Sequence, residues 1–330
     1  MIVITGGAGF IGSHLAEHLL ASGHRVRLLD NLSTGRRENV ARLLGPRCEL
    51  EEVDVGRLDE AGRWLEGVDE LYHLAAAVGV KLVVTQPVDS IEHNVLDTAT
   101  VLRAAARRGV PTLIASSSEV YGKSANVPFR EDDDAIYGAT VYSRWSYALA
   151  KALGEQLALA HHGQSGLPAV IVRLFNTVGP RQVGQYGMVL PRFVQRAASG
   201  EPIEVYGDGR QTRCFCHVRD VVAAMPRLLA KADCHGGVYN LGGDEEVSIG
   251  ELAERVVALT GSSGGIRYVP YDEAFSGPIE DPRRRVPDLQ RVREAIGFQP
   301  TRPLDKMLEE LIALARRSAG AEAANDPRNP

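Results

Sequence analysis

The sequence predicts an α/β fold built on a doubly wound parallel sheet, and three observations carry this prediction. Short β-branched segments alternate with longer amphipathic segments through the first half of the chain. That alternation is typical of a parallel sheet with helices on both faces. A glycine-rich turn follows the first apolar segment, and the second half is less regular and richer in Gly, Pro and Arg. We therefore expect one large sheet domain and a smaller, interleaved α/β domain that binds the substrate.

The individual elements follow from the period of the apolar residues. Strands are predicted at residues 1–5, 25–30, 49–53, 71–74, 112–116, 169–174 and 238–241. Helices are predicted at residues 11–22, 88–108, 146–161, 190–199, 249–259 and 304–317. The large domain should span residues 1–178 with return segments near 215–245, and the smaller one mainly residues 179–317. The acidic run 131–134 is expected in a solvated loop, and residues 318–330 as a disordered tail.

Composition excludes several classes of protein. A net charge of −5 over 330 residues gives no basic field for nucleic acid. Four cysteines are too few for a disulfide framework, and Cys214 and Cys216 are interpreted as alternating thiols on a strand rather than metal ligands. The apolar segment before Gly6 is too short for a signal peptide, and no run of 18 apolar residues occurs. We expect a cytoplasmic protein with no metal and no membrane or nucleic-acid partner.

The turn after the first predicted strand reads T-G-G-A-G-F-I-G and opens the first predicted helix. Glycines in such a turn let the backbone approach a pyrophosphate, and the helix N-terminus offers free N–H groups to the anion. This context predicts a Rossmann dinucleotide site. Its candidate residues are Gly6, Gly9, Phe10, Ile11 and Gly12.

Asp30 ends the second predicted strand, 18 positions after Gly12. A carboxylate there accepts hydrogen bonds from ribose hydroxyls and repels a 2′-phosphate, so NAD is expected rather than NADP. Arg36 and Arg37 could favour NADP, but they lie farther along the chain. Asp54 is either an adenine contact or a turn residue. The remaining cofactor candidates are Asn31, Val55 and Leu74.

Tyr147 and Lys151 stand four residues apart on one face of a predicted helix. A neighbouring cation favours the phenolate, so we expect the lysine and a nicotinamide cation to lower the pKa of the tyrosine. The tyrosine can then act as general base toward a substrate hydroxyl while hydride passes to NAD. The segment SSSEVYG at 116–122, which closes an intervening strand, strengthens this interpretation.

Together these segments resemble the extended short-chain dehydrogenases/reductases, in the group of nucleotide-sugar epimerases, dehydratases and decarboxylases. The resemblance covers residues 1 to about 315. It is carried by TGGAGFIGSHL, LLDNLSTGRREN, YHLAA, SSSEVYG, RWSYALAK, RLFNTVGPR, YGDGRQTRCFCHVRD and RRRVPD.

The resemblance implies roles for individual residues. Ser117 would orient the sugar 4-hydroxyl beside Tyr147, and Lys151 would also hold the nicotinamide ribose. Asn176 would contact the diphosphate, and Arg213 with Arg284 or Arg285 would neutralise it. Residues 187–193, including Val189, would line the base pocket. The helices at 88–108 and 146–161 would pair across a two-fold axis to form a homodimer.

Members of this group begin by oxidising C4 of the sugar and differ in how the ketone is used. A carboxyl at Glu119 beside Ser118, together with the R-x-x-Y of Arg144 to Tyr147, resembles the pattern of the UDP-glucuronate decarboxylases. The resemblance therefore implies decarboxylation of UDP-glucuronate to UDP-xylose or UDP-4-keto-pentose. Arg181 and Arg213 are candidates for holding the sugar carboxylate. A UDP-sugar 4-epimerase is the alternative, and a 4,6-dehydratase is less favoured because Ser118 replaces one member of the usual acidic pair.

Two departures from the decarboxylase pattern bear on the product that is released. Ser117 stands where threonine is usual, and the loop from Val78 to Lys81 lacks aromatic residues. Both lie near the nicotinamide or the sugar, so the keto intermediate could leave before it is reduced. A binding protein without turnover is the other class of function, and the presence of Ser117, Tyr147 and Lys151 together argues against it.

Overall fold

The computed structural model describes residues 1–78, 85–184, 188–274 and 282–324, with side chains through residue 317. The strands are β1 (Ile2–Thr5), β2 (Val26–Asp30), β3 (Cys48–Glu52), β4 (Glu70–His73), β5 (Thr112–Ser117), β6 (Ala169–Leu174), β7 (Thr177–Val178), β8 (Ile203–Tyr206), β9 (Thr212–Cys214), β10 (Cys216–His217), β11 (Gly237–Leu241), β12 (Glu246–Ser248), β13 (Ile266–Val269) and β14 (Arg284–Arg285). The α-helices are α1 (Phe10–Ala21), α2 (Pro87–Glu92), α3 (Thr98–Arg108), α4 (Ser146–Ser165), α5 (Val189–Ala198), α6 (Val218–Leu229), α7 (Ile249–Thr260), α8 (Tyr271–Ala274), α9 (Gln290–Ile296) and α10 (Leu304–Ala324).

Seven strands form the central sheet in the order β11-β6-β5-β4-β1-β2-β3, and every neighbouring pair is parallel. This confirms the predicted doubly wound sheet. β11 comes from the second half of the chain and pairs with β6, as predicted for residues 238–241. The strand order reverses between β1 and β4, and the carboxyl ends of strands at such a point border a ligand crevice.

Both faces of the inner strands are buried, and strands such as β1 and β6 are apolar at successive positions, whereas the edge strand β3 is mostly exposed. Ile4 and Leu28 belong to the core on the face covered by α1 and α6. Val3 and Ile171 belong to the core on the other face, with Val101 of α3. The inner strands are held firmly by packing on both faces, and their carboxyl ends border the crevice.

The second half of the chain builds a separate core beside this crevice. Helices α5, α7 and α10 pack together over the two-stranded sheet of β8 and β13. Phe193, Leu252 and Leu308 are fully buried there. A three-stranded sheet of β12, β9 and β14 lies alongside and carries several arginines.

The structure interrupts one predicted helix. The segment predicted as a single helix at 88–108 is α2, a π-helical turn from His93 to Asp97, and then α3. Asn94 lies in this turn and donates from Nδ2 to the carbonyls of Ala77 (3.0 Å) and Ser90 (2.7 Å). The π turn is short and lies inside an otherwise continuous helical run, and apolar periodicity does not distinguish an α turn from a π turn.

Two other segments differ from the sequence predictions. Helix α10 runs to Ala324, so residues 318–324 of the predicted tail are helical, and residues 325–330 lie outside the described residues. Glu131, expected in a solvated loop, is 9% exposed and accepts a hydrogen bond from the Asn240 backbone N–H (2.8 Å). Among the described residues, no helix is long and apolar enough to cross a membrane.

Candidate active site

A cavity of about 1250 Å³ lies at the carboxyl ends of the central strands and extends toward the second core. Its wall includes most of the residues that the sequence predicted for cofactor and substrate. At the cofactor end these are Gly6, Gly9, Phe10, Ile11, Gly12, Asp30, Asn31, Val55 and Leu74. At the other end they are Ser117, Ser118, Glu119, Tyr147, Lys151, Asn176, Arg181, Val189, Arg213 and Arg285.

The glycine turn leaves no room for side chains. A Cβ on Gly12 would stand 2.2 Å from the Gly6 carbonyl oxygen, and Gly6 itself has φ +69° with Ala75 backbone 2.8 Å from its Cβ position. Helix α1 begins at Phe10 with Gly9 as its N-cap and no side-chain cap. Its first N–H groups are therefore available to an anion, and the turn fits a pyrophosphate.

Asp30 is buried beside this turn and anchored to it. Its Oδ2 accepts from the Ala8 N–H (2.9 Å) and its Oδ1 from the Leu32 N–H (2.8 Å). Burial raises the pKa of Asp30, and these hydrogen bonds oppose the shift. Arg36 and Arg37 are exposed and do not line the cavity. The arrangement fits ribose hydroxyls better than a 2′-phosphate, as expected for NAD.

Asp54 is placed differently from the adenine contact that was one of its two interpretations. Its side chain accepts from the Gly56 N–H (3.0 Å), and it does not line the cavity although Val55 does. It lies instead near His93 and Asp97. One imidazole nitrogen of His93 and one carboxylate oxygen each of Asp54 and Asp97 lie within 4.8 Å of one another. The structure thus supports the turn-residue interpretation of Asp54.

The catalytic candidates meet where β5 ends against α4. The phenol of Tyr147 is hydrogen-bonded to Ser117, whose Oγ also accepts from the Glu119 N–H (3.2 Å). The Lys151 Nζ lies 5.9 Å from the centre of the Tyr147 ring and donates to the Ala115 carbonyl (3.0 Å). The four-residue spacing therefore brings the phenol and ammonium together, as the sequence indicated.

The pKa of Tyr147 is raised, whereas the sequence predicted that it would be lowered. Burial and then the negative charge of Glu119 raise the pKa of Tyr147, and the hydrogen bond from Ser117 only partly opposes them. Lys151 was expected to lower the pKa of the tyrosine, but this lowering is not found, because burial disfavours the charged phenolate and sets the direction of the shift. Burial also lowers the pKa of Lys151 to about 8, against the opposing charge of Glu155.

Glu119 lies between two arginines that come from distant parts of the chain. Its Oε2 is 2.7 Å from Arg144 Nη1, and its Oε1 accepts from Arg285 Nη1 at 2.8 Å. All three side chains are nearly buried, with exposures of 14%, 9% and 9%. Burial alone would raise the pKa of Glu119, but the charges of Arg285 and Arg144 lower it to about 2. Glu119 is thus ionised at neutral pH, and the triad carries a net positive charge.

Of the two arginines considered for the diphosphate, only Arg285 faces the cavity. Arg284 is half-exposed and pairs with Glu246 through Nε and Nη2, both at 2.8 Å. The two are neighbours on β14, where successive side chains point to opposite faces, so one must turn away. The alternative of Arg284 as a diphosphate ligand is therefore not supported by its position.

The other substrate candidates line the cavity with much of their hydrogen bonding already used. Asn176 donates to the Cys214 carbonyl (2.9 Å), and buried Arg213 donates to the Pro282 carbonyl (3.0 Å). Arg181 pairs with Glu17 on α1 at 2.6 Å, so it bridges the cofactor side and the substrate side. Val189 lies in the wall, whereas residue 187 of the predicted base pocket and residues 79–81 of the Val78–Lys81 loop lie outside the described residues.

Some residues and contacts of the wall were not predicted, although Arg192 itself lies within the range 187–193 that was predicted for the base pocket. Arg192 places its guanidinium 4.0 Å from the centre of the Tyr206 ring, and both line the cavity with Gln211 and Tyr271. No spacing in the sequence indicates this stack, because α5 and β8 meet only in the fold. Arg144 had a signal in the R-x-x-Y pattern, but its pairing with Glu119 was not foreseen.

A Rossmann sheet, a glycine turn at its first helix and a buried tyrosine–lysine pair on one helix together define the extended short-chain dehydrogenase/reductase class. The model of the NAD dependent epimerase/dehydratase family matches residues 2–242. The chain therefore belongs to that family, and NAD is its cofactor class.

Relatives of named activity fall within the same group. The chain is 41% identical over 313 residues to a UDP-N-acetyl-alpha-D-glucosaminuronate decarboxylase of Bacillus cytotoxicus, covering 94% of this chain and 96% of the relative. It is 36% identical over 315 residues to UDP-glucuronic acid decarboxylase 1 of Arabidopsis thaliana, covering 94% and 69%. A solved UDP-glucuronic acid 4-epimerase of Bacillus cereus, in complex with UDP-glucuronic acid and NAD, superposes with a TM-score of 0.86 at 27% identity, covering 96% and 99%.

Proposed function

We propose that this enzyme decarboxylates UDP-glucuronic acid, or its 2-acetamido counterpart, after oxidising C4 of the sugar. The observation that carries the proposal is the ionised Glu119 held by Arg144 and Arg285 next to the Tyr147 phenol. The net positive charge of this triad suits a sugar that bears a carboxylate. The relatives named decarboxylases support the same reading.

The same triad argues against dehydration. A 4,6-dehydratase needs a group that donates a proton to the departing C6 hydroxyl. Glu119, with its pKa lowered to about 2, holds no proton to donate at neutral pH. The neighbouring Ser118 hydroxyl is a far weaker acid, so a C6 hydroxyl would find no carboxylic acid at this position.

The chemistry of a C6 acid follows from the position of the ketone. Tyr147, aided by Ser117, takes the proton from the C4 hydroxyl. NAD, when bound, would accept the hydride from C4 and later return it, and its charged ring would favour the Tyr147 phenolate. The C4 ketone makes the sugar a β-keto acid, so the C5–C6 bond breaks, carbon dioxide leaves, and the electron pair passes to the C4 oxygen. A proton added at C5 then gives the 4-keto-pentose.

Residues of the site take the following roles in this proposal. The hydroxyls of Ser117 and Tyr147 are hydrogen-bonded to each other, and in this proposal both donate to the C4 oxygen and stabilise its negative charge. Lys151 contributes positive charge beside the phenol. Arg213 and Asn176 serve the diphosphate, and Val189 serves the base. The glycine turn and Asp30 hold the cofactor pyrophosphate and ribose.

The product depends on how long the ketone stays in the cavity. Reduction gives UDP-xylose or its 2-acetamido counterpart, whereas early release gives the 4-keto-pentose nucleotide. Ser117 preserves the hydroxyl of the usual threonine but lacks the methyl group that restricts its rotamer. We infer that both products form.

Two substrates must be compared because of the 41% identical relative, whose name specifies the 2-acetamido sugar acid. Purified enzyme and catalytic NAD would be incubated with each sugar acid and followed by proton NMR. A pentose nucleotide, with carbon dioxide released from C6, is the expected result for at least one substrate. Appearance of UDP-galacturonate with six carbons would instead support the alternative, a 4-epimerase like the solved relative.

The enzyme is also proposed to be a homodimer. Apolar side chains are exposed along α2, the π turn and α4, where contacts with a second copy would cover them. They are Val88, Ile91, Leu96, Leu149 and Leu153. Sedimentation at the mass of one chain would contradict this proposal, and the cytoplasmic location stays a prediction from the sequence.

A further inference from the structure

A buried cluster of polar side chains lies directly behind the catalytic pair. Its centre is Glu155 on α4, one helical turn beyond Lys151 and only 4% exposed. The Glu155 carboxylate accepts a hydrogen bond from the Ser116 hydroxyl, and from Arg173 through Nη2 (2.7 Å) and Nε (3.0 Å). Neither Glu155 nor Arg173 lines the cavity, so they do not contact the substrate.

We propose that Glu155 is a positioning residue for the catalytic pair, which keeps the Lys151 ammonium charged and fixes the strand end that carries Ser117. This inference rests on the proposed roles of Lys151 and Ser117.

The mechanical part of the proposal follows from two adjacent contacts. Lys151 donates to the carbonyl of Ala115, and Glu155 accepts from the hydroxyl of Ser116. Residues four apart on a helix share one face, so one face of α4 is joined to two consecutive residues at the end of β5. Ser117 is the next residue of β5, and Tyr147 lies on the same helix as Lys151 and Glu155. These two contacts therefore restrict the movement of Ser117 relative to Tyr147.

The electrostatic part concerns the charges that surround Lys151. The titratable and charged groups facing this region are Tyr147 and Glu155 on α4, His73 on β4, Arg173 on β6 and Tyr137 in the loop before α4. Burial, and then the charge of Lys151, lower the pKa of His73 to about 3, so that ring is neutral. Arg173 is a cation, but its charge is neutralised by Glu155.

Glu155 is therefore the negative charge that opposes the effect of burial on Lys151. Burial lowers the pKa of Lys151 to about 8, and Glu155 raises it. Without the Glu155 carboxylate, Lys151 would face both burial and the unpaired charge of Arg173. It would then lose its proton at a lower pH, and the alkaline limit of activity would move with it.

The test uses the small number of lysines in this chain. They are Lys81, Lys123, Lys151, Lys231 and Lys306. The enzyme would be labelled with ¹³Cε-lysine, saturated with NAD and titrated by NMR. The Lys151 signal is assigned as the one that is missing from the spectrum of a Lys151→Met variant. We expect Glu155→Gln to lower the titration midpoint of this signal by about one pH unit or more, because an opposite charge is lost within a helical turn. The alkaline limb of the kcat profile should shift by the same amount.

A matched control removes a buried carboxylate elsewhere. Asp220 is 9% exposed and accepts from the Thr301 N–H (3.1 Å) and hydroxyl (2.6 Å), so Asp220→Asn makes a similar change outside the cavity wall. It should leave the Lys151 midpoint unchanged. Ser116→Ala keeps the Glu155 charge and should also leave the midpoint unchanged, but it should lower kcat with little effect on KM.

Folded Glu155→Gln enzyme with a wild-type Lys151 midpoint would overturn the electrostatic part, and Ser116→Ala with a wild-type kcat would overturn the mechanical part. If Glu155→Gln fails to fold, Glu155→Asp moves the carboxylate away from Lys151 and should lower the midpoint by a smaller amount. An unchanged midpoint in that variant likewise contradicts the proposal. Because the titration needs no sugar nucleotide, its outcome is independent of whether the enzyme decarboxylates.

Discussion

Replacing Glu119 by glutamine should destabilise the enzyme in a way that depends on pH. The pKa of Glu119 is lowered from 4.5 to about 2, and each pKa unit corresponds to about 1.4 kcal/mol. The nearly buried carboxylate thus contributes about 3 kcal/mol to the free energy of unfolding at neutral pH. Glu119→Gln removes this contribution and leaves Arg144 and Arg285 without their shared partner.

The sign of the pH dependence follows from the direction of the shift. A carboxyl with a depressed folded-state pKa stabilises the protein fully above its unfolded value, and this stabilisation is lost as the pH falls toward 2. The difference between wild type and Glu119→Gln should therefore shrink from about 3 kcal/mol at pH 7 to about 2 kcal/mol at pH 3.5.

Calorimetry of the two proteins between pH 3.5 and pH 7 measures this difference. At pH 7 we expect the Tm of the variant to be lower by about 5 °C, given the unfolding entropy of a chain this long. Glu246→Gln is the control, because it breaks a more exposed pair with Arg284 and should cost no more than about 1 kcal/mol. Equal Tm values for wild type and Glu119→Gln at pH 7 would refute the electrostatic account of the triad.

Three further predictions concern the cofactor turn, the arginines and the base. Gly12→Ala places a Cβ 2.2 Å from the Gly6 carbonyl oxygen, so the affinity for NAD should fall more than tenfold. Calorimetric titration measures this affinity, and a wild-type value would contradict the assignment of the glycine turn to the cofactor. Arg285→Ala should lower kcat by about a hundredfold or more, whereas Arg284→Ala should lower it by no more than about threefold, because only Arg285 contacts Glu119. Equal losses of kcat in steady-state assays would contradict the assignment of Arg285, rather than Arg284, to the active site. Tyr147→Phe should reduce NADH formation in a single turnover by about a thousandfold, and rapid formation would exclude it as the base.

Much of the fold was predictable because its signals are local. β1 and β6 are apolar at successive positions, so both were predicted within one residue of their observed bounds. The catalytic pair was equally local, since Tyr147 and Lys151 share a helix. The π turn around Asn94 was not predicted because apolar periodicity indicates a helical run but not the hydrogen-bond spacing within it.

The parts that were not predicted depend on contacts between distant segments. Glu119 and Arg285 are 166 positions apart, and nothing in either segment indicates that they meet. To choose between Arg284 and Arg285, one must know which side chain of the two-residue strand β14 points toward the cavity, and periodicity cannot assign this. Glu131 stands in an acidic run typical of a solvated loop, but its partner Asn240 comes from the return strand β11.

Release of C6 as carbon dioxide tests the central claim most directly. Enzyme, catalytic NAD and UDP-glucuronic acid labelled with ¹³C at C6 would be followed by carbon NMR, with the 2-acetamido sugar acid in a parallel tube. The proposed function predicts transfer of label from the carboxylate to carbon dioxide and bicarbonate, together with an unlabelled pentose nucleotide, in at least one tube. Retention of the label in the sugar in both tubes, with active NAD-bound enzyme, would contradict it.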